Sequence, residues 1–202
     1  SATYQQSSRI QADQLENDPN NLLLGRGPRF RLSAEMIRDN ALTVSGLLSH
    51  KMGGSPVYPP QPDGIWRHVG RNAPKYDTST GTDRFRRGIY VVWRRSAPYP
   101  SFTNFDAPDR ASCVVVRPRT NTPLQALTLL NDHAYLEIAR HLAERIMKLP
   151  GMAGDRERVA RGFQLAVSRQ ASSKELVTLM ALYPFELARY EQHLTLASPV
   201  LA

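Results

Sequence analysis

His133, Glu137 and His141 carry metal-ligating side chains at two successive four-residue steps, the one set of such residues at regular helical spacing in this chain. Each step of four drifts about 40° around a helix, so the outer pair shares one ion only with help from elsewhere. The spacing also departs from H-E-x-x-H, in which two histidines one turn apart hold zinc and a glutamate serves as base. Pairing of neighbours along a helix flank accounts for the pattern better, and no metal site is assigned.

Nucleophiles are no better placed. There is no G-x-S-x-G elbow, and Ser49-His50 are mere sequence neighbours. Cys113, between a serine and three valines, reads as a buried strand residue whose apolar setting would raise its thiol pKa. Gly25-x-Gly27 precedes Pro28 and no strand-to-helix turn, so it fails as a phosphate loop. Asp106, Asp109 and Asp132 have the oxygen chemistry for a hard cation, but aspartates at turns and helix starts more often bond to local backbone.

Anion recognition is the chemistry that residue type favours most. Arg94, Arg95, Arg110, Arg117 and Arg119 are interleaved with Tyr90, Trp93, Tyr99 and Phe102, and Asp106 lies among them. Guanidinium forks grip carboxylate, phosphate or sulfate in pairs of bonds, while aromatic faces offer stacking platforms. The plainer alternative is that these arginines tie down loop carbonyls and internal carboxylates.

Charge is distributed accordingly. Of the formal +8, residues 1–66 contribute 6 cations and 6 anions, residues 67–119 contribute 11 and 4, and residues 120–202 contribute 9 and 8. The middle third alone is thus +7, which points to an acidic partner. The single cysteine excludes an internal disulfide, a C-x-x-C-H haem attachment and any zinc site with two cysteine ligands. No cofactor is called for. No run reaches the roughly 18 apolar residues of a membrane span, and SATYQQSS, with no initiator Met, reads as the start of a fragment or processed product.

The elements that must position these groups are mostly helical. One domain of 202 residues is expected, with an extended arm over 1–32 and a short helix near residues 11–17. Ser33 is a fitting N-cap for a helix over 33–50, whose apolar face is Met36, Ile37, Ala41, Val44, Leu47 and Leu48 and whose stop is Gly53-Gly54. Residues 55–119 form a long irregular segment, rich in Arg and aromatics, with strand candidates at 88–95 (GIYVVWRR) and 113–117 (CVVVR) that would pair as a small β-ribbon. Tyr90, Val92 and Trp93 are then expected to pack partly on the helices.

A three-helix part over 122–197 follows. Thr122, Pro123 and Gln125 make a capping box for a helix whose stripe runs through Leu127, Leu130, Ala134, Ile138, Leu142 and Ile146. Pro150-Gly151 ends it, and the next starts at Asp155. Ser172-x-x-Glu175 caps the last, which continues through Leu194 and should kink or divide at Pro184. The fold class is a mostly α helical bundle with a long irregular central segment.

The run Arg94-Arg95, Phe105-Asp106-x-Pro108, Cys113, Arg117-x-Arg119-Thr120-x-Thr122-Pro123-x-Gln125-Ala126-Leu127 and Leu130-Asn131-Asp132 resembles a planctomycete PSD-type domain of unknown function, number fifteen fifty-three in its series. The similarity extends upstream through Pro28-Arg29-x-Arg31-Leu32 and Lys51-x-Gly53-Gly54, and downstream through Arg169 and Ser172-x-x-Glu175. The resemblance implies the C-terminal part of a large exported protein, behind a cytochrome-c-like segment and a second uncharacterised domain. It implies an extracytoplasmic location and neighbouring domains as partners, and it carries over no catalytic residue.

The reading is therefore a non-catalytic interaction module, docking a neighbouring domain or an acidic ligand through Tyr90, Trp93, Arg94, Arg95, Asp106, Arg110, Arg117 and Arg119. Two alternatives remain open. An enzyme domain acting on sulfated or uronate polysaccharide would use Asp106, Asp132 or Glu137 as acid or base, with paired carboxyls roughly 5 to 9.5 Å apart. Sequence-independent nucleic-acid binding would show steep salt dependence, and the exported setting disfavours it.

Overall fold

The computed structural model describes residues 2–3, 5–67, 75–152 and 154–193. The described residues form seven α-helices: α1 (Ala12–Asn17), α2 (Ala34–Ser45), α3 (Pro100–Asn104), α4 (Pro123–Asn131), α5 (His133–Met147), α6 (Asp155–Val167) and α7 (Ser173–Gln192). The described residues are mostly helical, with almost no strand. No described helix is long and apolar enough to cross a membrane.

Two compact units divide the chain, residues Ser1–Leu32 and Ser33–Ala202. In the first, the Asp18 carboxylate accepts the Leu22 and Leu23 N–H groups, both at 2.8 Å, just past the end of α1. The Arg26 guanidinium donates to the Asp18 and Pro19 carbonyls at 2.9 and 2.7 Å. A turn that sequence shows only as Pro and Asn is thus closed by one carboxylate and one guanidinium.

In the second unit the core joins Ala34 and Leu42 of α2, Phe102 of α3, and Tyr135 and Ile138 of α5 to Val57, Val91, Tyr99 and Phe105. Tyr90 and Trp93 pack partly against it. The inward stripe of α2 is Ala34, Arg38, Leu42 and Ser45, while Met36, expected on the apolar face, is exposed. Arg38 tolerates that position because its Nη2 donates to the Arg84 carbonyl at 2.5 Å. Gly46, not Gly53-Gly54, ends α2, since its left-handed φ of 82° lets its N–H return to the Leu42 and Thr43 carbonyls. Arg145 of α5 covers the same end, donating to the Val44 carbonyl at 2.6 Å.

The expected β-ribbon does not form. Residues 88–90 make a 3-10 turn, and pairing is limited to isolated bridges, Ser49 with Arg86 and Val57 with Val91. A lone two-stranded ribbon is marginal in water. The backbone N–H groups of Arg86, Tyr90 and Val91 bond locally to the Asp83, Arg87 and Gly88 carbonyls and that of Gly88 to the Asp39 carboxylate, while the bridges engage the Phe85 and Tyr90 carbonyls and the Val92 N–H. Cys113 is exposed and lies in no strand, so its assignment as a buried strand residue is corrected.

Residues 122–192 make four helices where three were expected. The capping box of Thr122 and Gln125 starts α4 as predicted, but the helix stops before Asp132. There ψ turns to 130° and the Asp132 carboxylate accepts the Ala134 N–H at 2.9 Å, so it N-caps α5. The apolar spacing in the sequence runs on across this break, which is why periodicity missed it, but the expected stripe is buried only at Ala134 and Ile138, because Leu127 and Leu130 are exposed and α4 buries Gln125 and Thr128 instead. Ser172 and Glu175 cap α7, which runs on through Pro184 without dividing. Leu194 lies outside the described residues.

Candidate functional site

The irregular segment is fastened to α2 and α5 by its arginines. The Arg84 Nη2 donates to the Glu137 carboxylate at 2.8 Å, the Arg87 Nε to Asp39 at 3.0 Å, and the Arg117 Nη1 to Glu35 at 2.8 Å. Arg86 is fully buried yet meets no carboxylate. Its guanidinium donates to the carbonyls of Ser55 (3.0 Å), Lys51 (3.3 Å) and Gly53 and lies 3.8 Å from the centre of the Tyr90 ring. Much of the central positive charge is therefore spent holding the segment in place.

A different group of cations stays at the surface. Arg94 stacks over Trp66 at 5.0 Å, and Arg110 stacks over the neighbouring residue's indole, Trp93, at 4.9 Å. Arg95, next in the chain, is exposed. Among the described residues, none of the ion pairs uses Arg94, Arg95 or Arg110. Stacking holds a guanidinium by its face and leaves N–H edges for an anion. Consecutive residues 93 and 94 thereby join two guanidinium–indole stacks.

Aromatic packing beneath fixes the first stack. Trp66 meets Tyr76 edge to face at 5.0 Å, Tyr58 meets Tyr76 at 5.3 Å, and the Tyr76 hydroxyl donates to the Pro59 carbonyl. Sequence reading missed Tyr58, Trp66 and Tyr76, which lie in a stretch without period. The second stack rests on a turn in which Asp109 accepts the Ala111 N–H at 2.9 Å and the Trp93 indole N–H reaches the Asp109 carbonyl at 3.4 Å. Asp106 and Arg110 both have φ near +60°, a region non-glycine residues seldom occupy, and strain of this kind gathers at binding sites.

The remaining expected site residues are placed elsewhere. Tyr90 lies over buried Arg86 and donates no surface to the stacks, although its hydroxyl accepts the Gly53 N–H at 2.9 Å. Asp106 binds Thr120, accepting its N–H at 2.7 Å. Arg117 is committed to Glu35, and Arg119 is exposed but has a partner of its own. The structure pairs Arg110 with Trp93 and Arg94 with Trp66, and Arg95 follows Arg94 in the chain.

The carboxylates considered for acid–base work are engaged in the framework. Glu137 holds Arg84, and burial pushes the Asp132 carboxyl above its ordinary pKa while its N–H bonds oppose that rise. His141 Nδ1 sits 2.9 Å from the Glu137 carbonyl, and its ring meets Phe85 edge to face. Among the described residues, no three His, Cys, Asp or Glu side chains gather as a metal set. An open apolar groove of about 390 Å³ runs between α5, α6 and α7, lined by Leu142, Ile146, Val159, Phe163, Leu179 and Tyr183. Its lining includes the Asp155–Arg158 pair, at 3.2 Å.

Comparison with known families gives one result: residues 1–183 match the family model PSD1, described as a protein of unknown function (DUF1553). No curated protein and no solved structure matches the chain.

Proposed function

We propose for this chain, which belongs to the PSD1 (DUF1553) family of proteins of unknown function, the role of a non-catalytic interaction module that docks an acidic surface. The observation that carries the reading is the pair of guanidinium–indole stacks, Arg94 on Trp66 and Arg110 on Trp93, with Arg95 beside them. The arginines that brace the fold have internal partners, whereas Arg95 and Arg110 are exposed, Arg94 is half-buried, and none of the three enters an ion pair among the described residues. A neighbouring domain with an acidic face and a sulfated or uronate polysaccharide share the chemistry such edges recognise. We place the module in an exported, extracytoplasmic multidomain protein, as the sequence resemblance implies.

An array of sulfated and neutral glycans, with DNA as a control, tests this at two salt concentrations on the wild type, Arg94→Ala and Arg110→Ala. Retention on sulfated glycans that weakens with salt and is lost in both variants is expected. Flat responses throughout, or retention that the variants leave unchanged, would overturn the reading. Preference for DNA with a steep salt dependence would favour nucleic-acid binding instead.

A further inference from the structure

Residues 21–24 form a loop whose backbone donors are satisfied from within. The Asn21 N–H donates to the Asp18 carbonyl at 3.1 Å, those of Leu22 and Leu23 to the Asp18 carboxylate at 2.8 Å, and that of Leu24 to the Asn21 carbonyl at 3.3 Å. Asn21 also clamps the exit, its Nδ2 donating to the Arg26 carbonyl at 2.8 Å and its Oδ1 accepting the Arg26 N–H at 3.2 Å. The side chains of Leu22, Leu23 and Leu24 are left outside, 80%, 82% and 56% exposed. Asn21 and Leu24 hold φ of 53° and 54°, a left-handed region in which a bulky residue such as leucine is an outlier. Strain of that kind persists only where the surrounding bonds over-determine it, and here those bonds keep three consecutive leucines in solvent.

We infer that this loop is a shallow lipid anchor, whose leucine side chains enter the surface of a bilayer while Asp18 and Arg26 stay among the headgroups. Three observations select lipid. First, hydrocarbon offers no hydrogen bonds, so a segment that enters it must bring its backbone donors already paired, as the N–H groups of residues 21–24 are. Second, the tip is aliphatic throughout. Protein hot spots are rich in Trp, Tyr and Arg and poor in leucine, whereas leucine is among the residues a bilayer accepts most readily. Third, charge does not oppose the contact: residues 1–32 hold four arginines and three carboxylates, one of them Asp18, and the formal +8 of the whole chain draws it toward anionic headgroups. An anchor of this size binds reversibly. It does not use the stacked arginines, so it stands or falls independently of the proposed docking role.

Cosedimentation at physiological salt with vesicles of phosphatidylcholine and phosphatidylglycerol in equal parts tests the inference on the wild type, Leu22→Ser/Leu23→Ser and Arg94→Ala/Arg110→Ala. Both leucine side chains are exposed and the bonds at these positions are made by backbone N–H groups, so the serine variant keeps the fold, which an unchanged circular dichroism spectrum verifies. The wild type is expected to bind the vesicles and the serine variant to bind them roughly tenfold more weakly or worse, as loss of two apolar side chains from the contact requires. A wild type that leaves the vesicles unbound, or a serine variant that binds them as well as the wild type, overturns the inference. Binding lost only in the arginine variant would assign the lipid to the stacks and overturn it equally.

Discussion

The Arg117 guanidinium donates to the Glu35 carboxylate at 2.8 Å, joining the first turn of α2 to a residue 82 positions later. Glu35 is favoured there on two counts, since the positive end of the helix dipole and the guanidinium both stabilise its anion. Gly88 lies against the same residue. A Cβ added to Gly88 would stand 2.8 Å from the Glu35 Cα and 2.9 Å from its carbonyl oxygen. One helix start thus anchors two stretches of the irregular segment.

Burial tends to raise the Glu35 pKa, but the bonds from Arg117 and the backbone together hold it below its ordinary value. A depressed carboxyl stabilises the fold above its unfolded pKa, and that contribution disappears as pH falls through the folded value. Glu35→Gln should therefore cost about 1 kcal/mol at pH 7, a modest figure because Arg117 is partly exposed and solvent screens the pair. Urea denaturation at pH 7 and pH 3 checks this, with the difference between wild type and variant shrinking at the lower pH.

Gly88→Ala and Gly162→Ala should behave oppositely. At Gly88 the new methyl meets backbone atoms of α2, and the overpacking should cost about 2 kcal/mol or more. At Gly162 the obstruction is the Ile146 Cδ1, at 2.8 Å, which is the end of a flexible side chain. Alanine also gains nearly 1 kcal/mol of helix propensity there. Thermal melts should show a clear drop for the first and little change for the second.

Asp132 N-caps α5 with a carboxyl whose pKa burial raises. Its charge is therefore mildly unfavourable at neutral pH, the reverse of Glu35, and the fold gains from its protonation below the folded pKa. Asp132→Asn keeps an acceptor for the Ala134 N–H and sheds the charge, so stability at pH 7 should hold or rise. Asp132→Ala should lose about 1 kcal/mol with the cap. Equilibrium unfolding of both variants separates cap from charge.

Arg86→Met should destabilise by about 3 kcal/mol, since it strands the buried carbonyls that the guanidinium serves. The Met side chain fills similar volume, so chemical denaturation reads mainly the lost hydrogen bonds.

What was legible in the sequence follows from how local each cause is. Ser33, the Thr122–Gln125 box and the Ser172–Glu175 box were readable because capping is decided within a few residues. The division at Asp132 was hidden by a stripe that keeps its period across the break. The cationic character of the site was visible in composition, but which arginines face outward was not. Arg84, Arg87 and Arg117 find carboxylates 53, 48 and 82 residues away, whereas Arg94 finds an indole, and no spacing rule relates these pairs. The exposure of Cys113 was misjudged from its valine neighbours, which are themselves exposed, so a thiol reagent should label the native protein rapidly.

Calorimetric titration of a sulfated oligosaccharide into the wild type, Arg94→Ala/Arg110→Ala and Arg87→Ala bears most directly on the docking surface. Arg87 serves as the control because its charge is already paired with Asp39. Removing both stacked guanidinium groups should weaken binding at least tenfold, equivalent to about 1.4 kcal/mol, while Arg87→Ala binds as the wild type does. Equal affinity in all three proteins, or no heat of binding in the wild type, would contradict the assignment of an anion-binding role to Arg94 and Arg110.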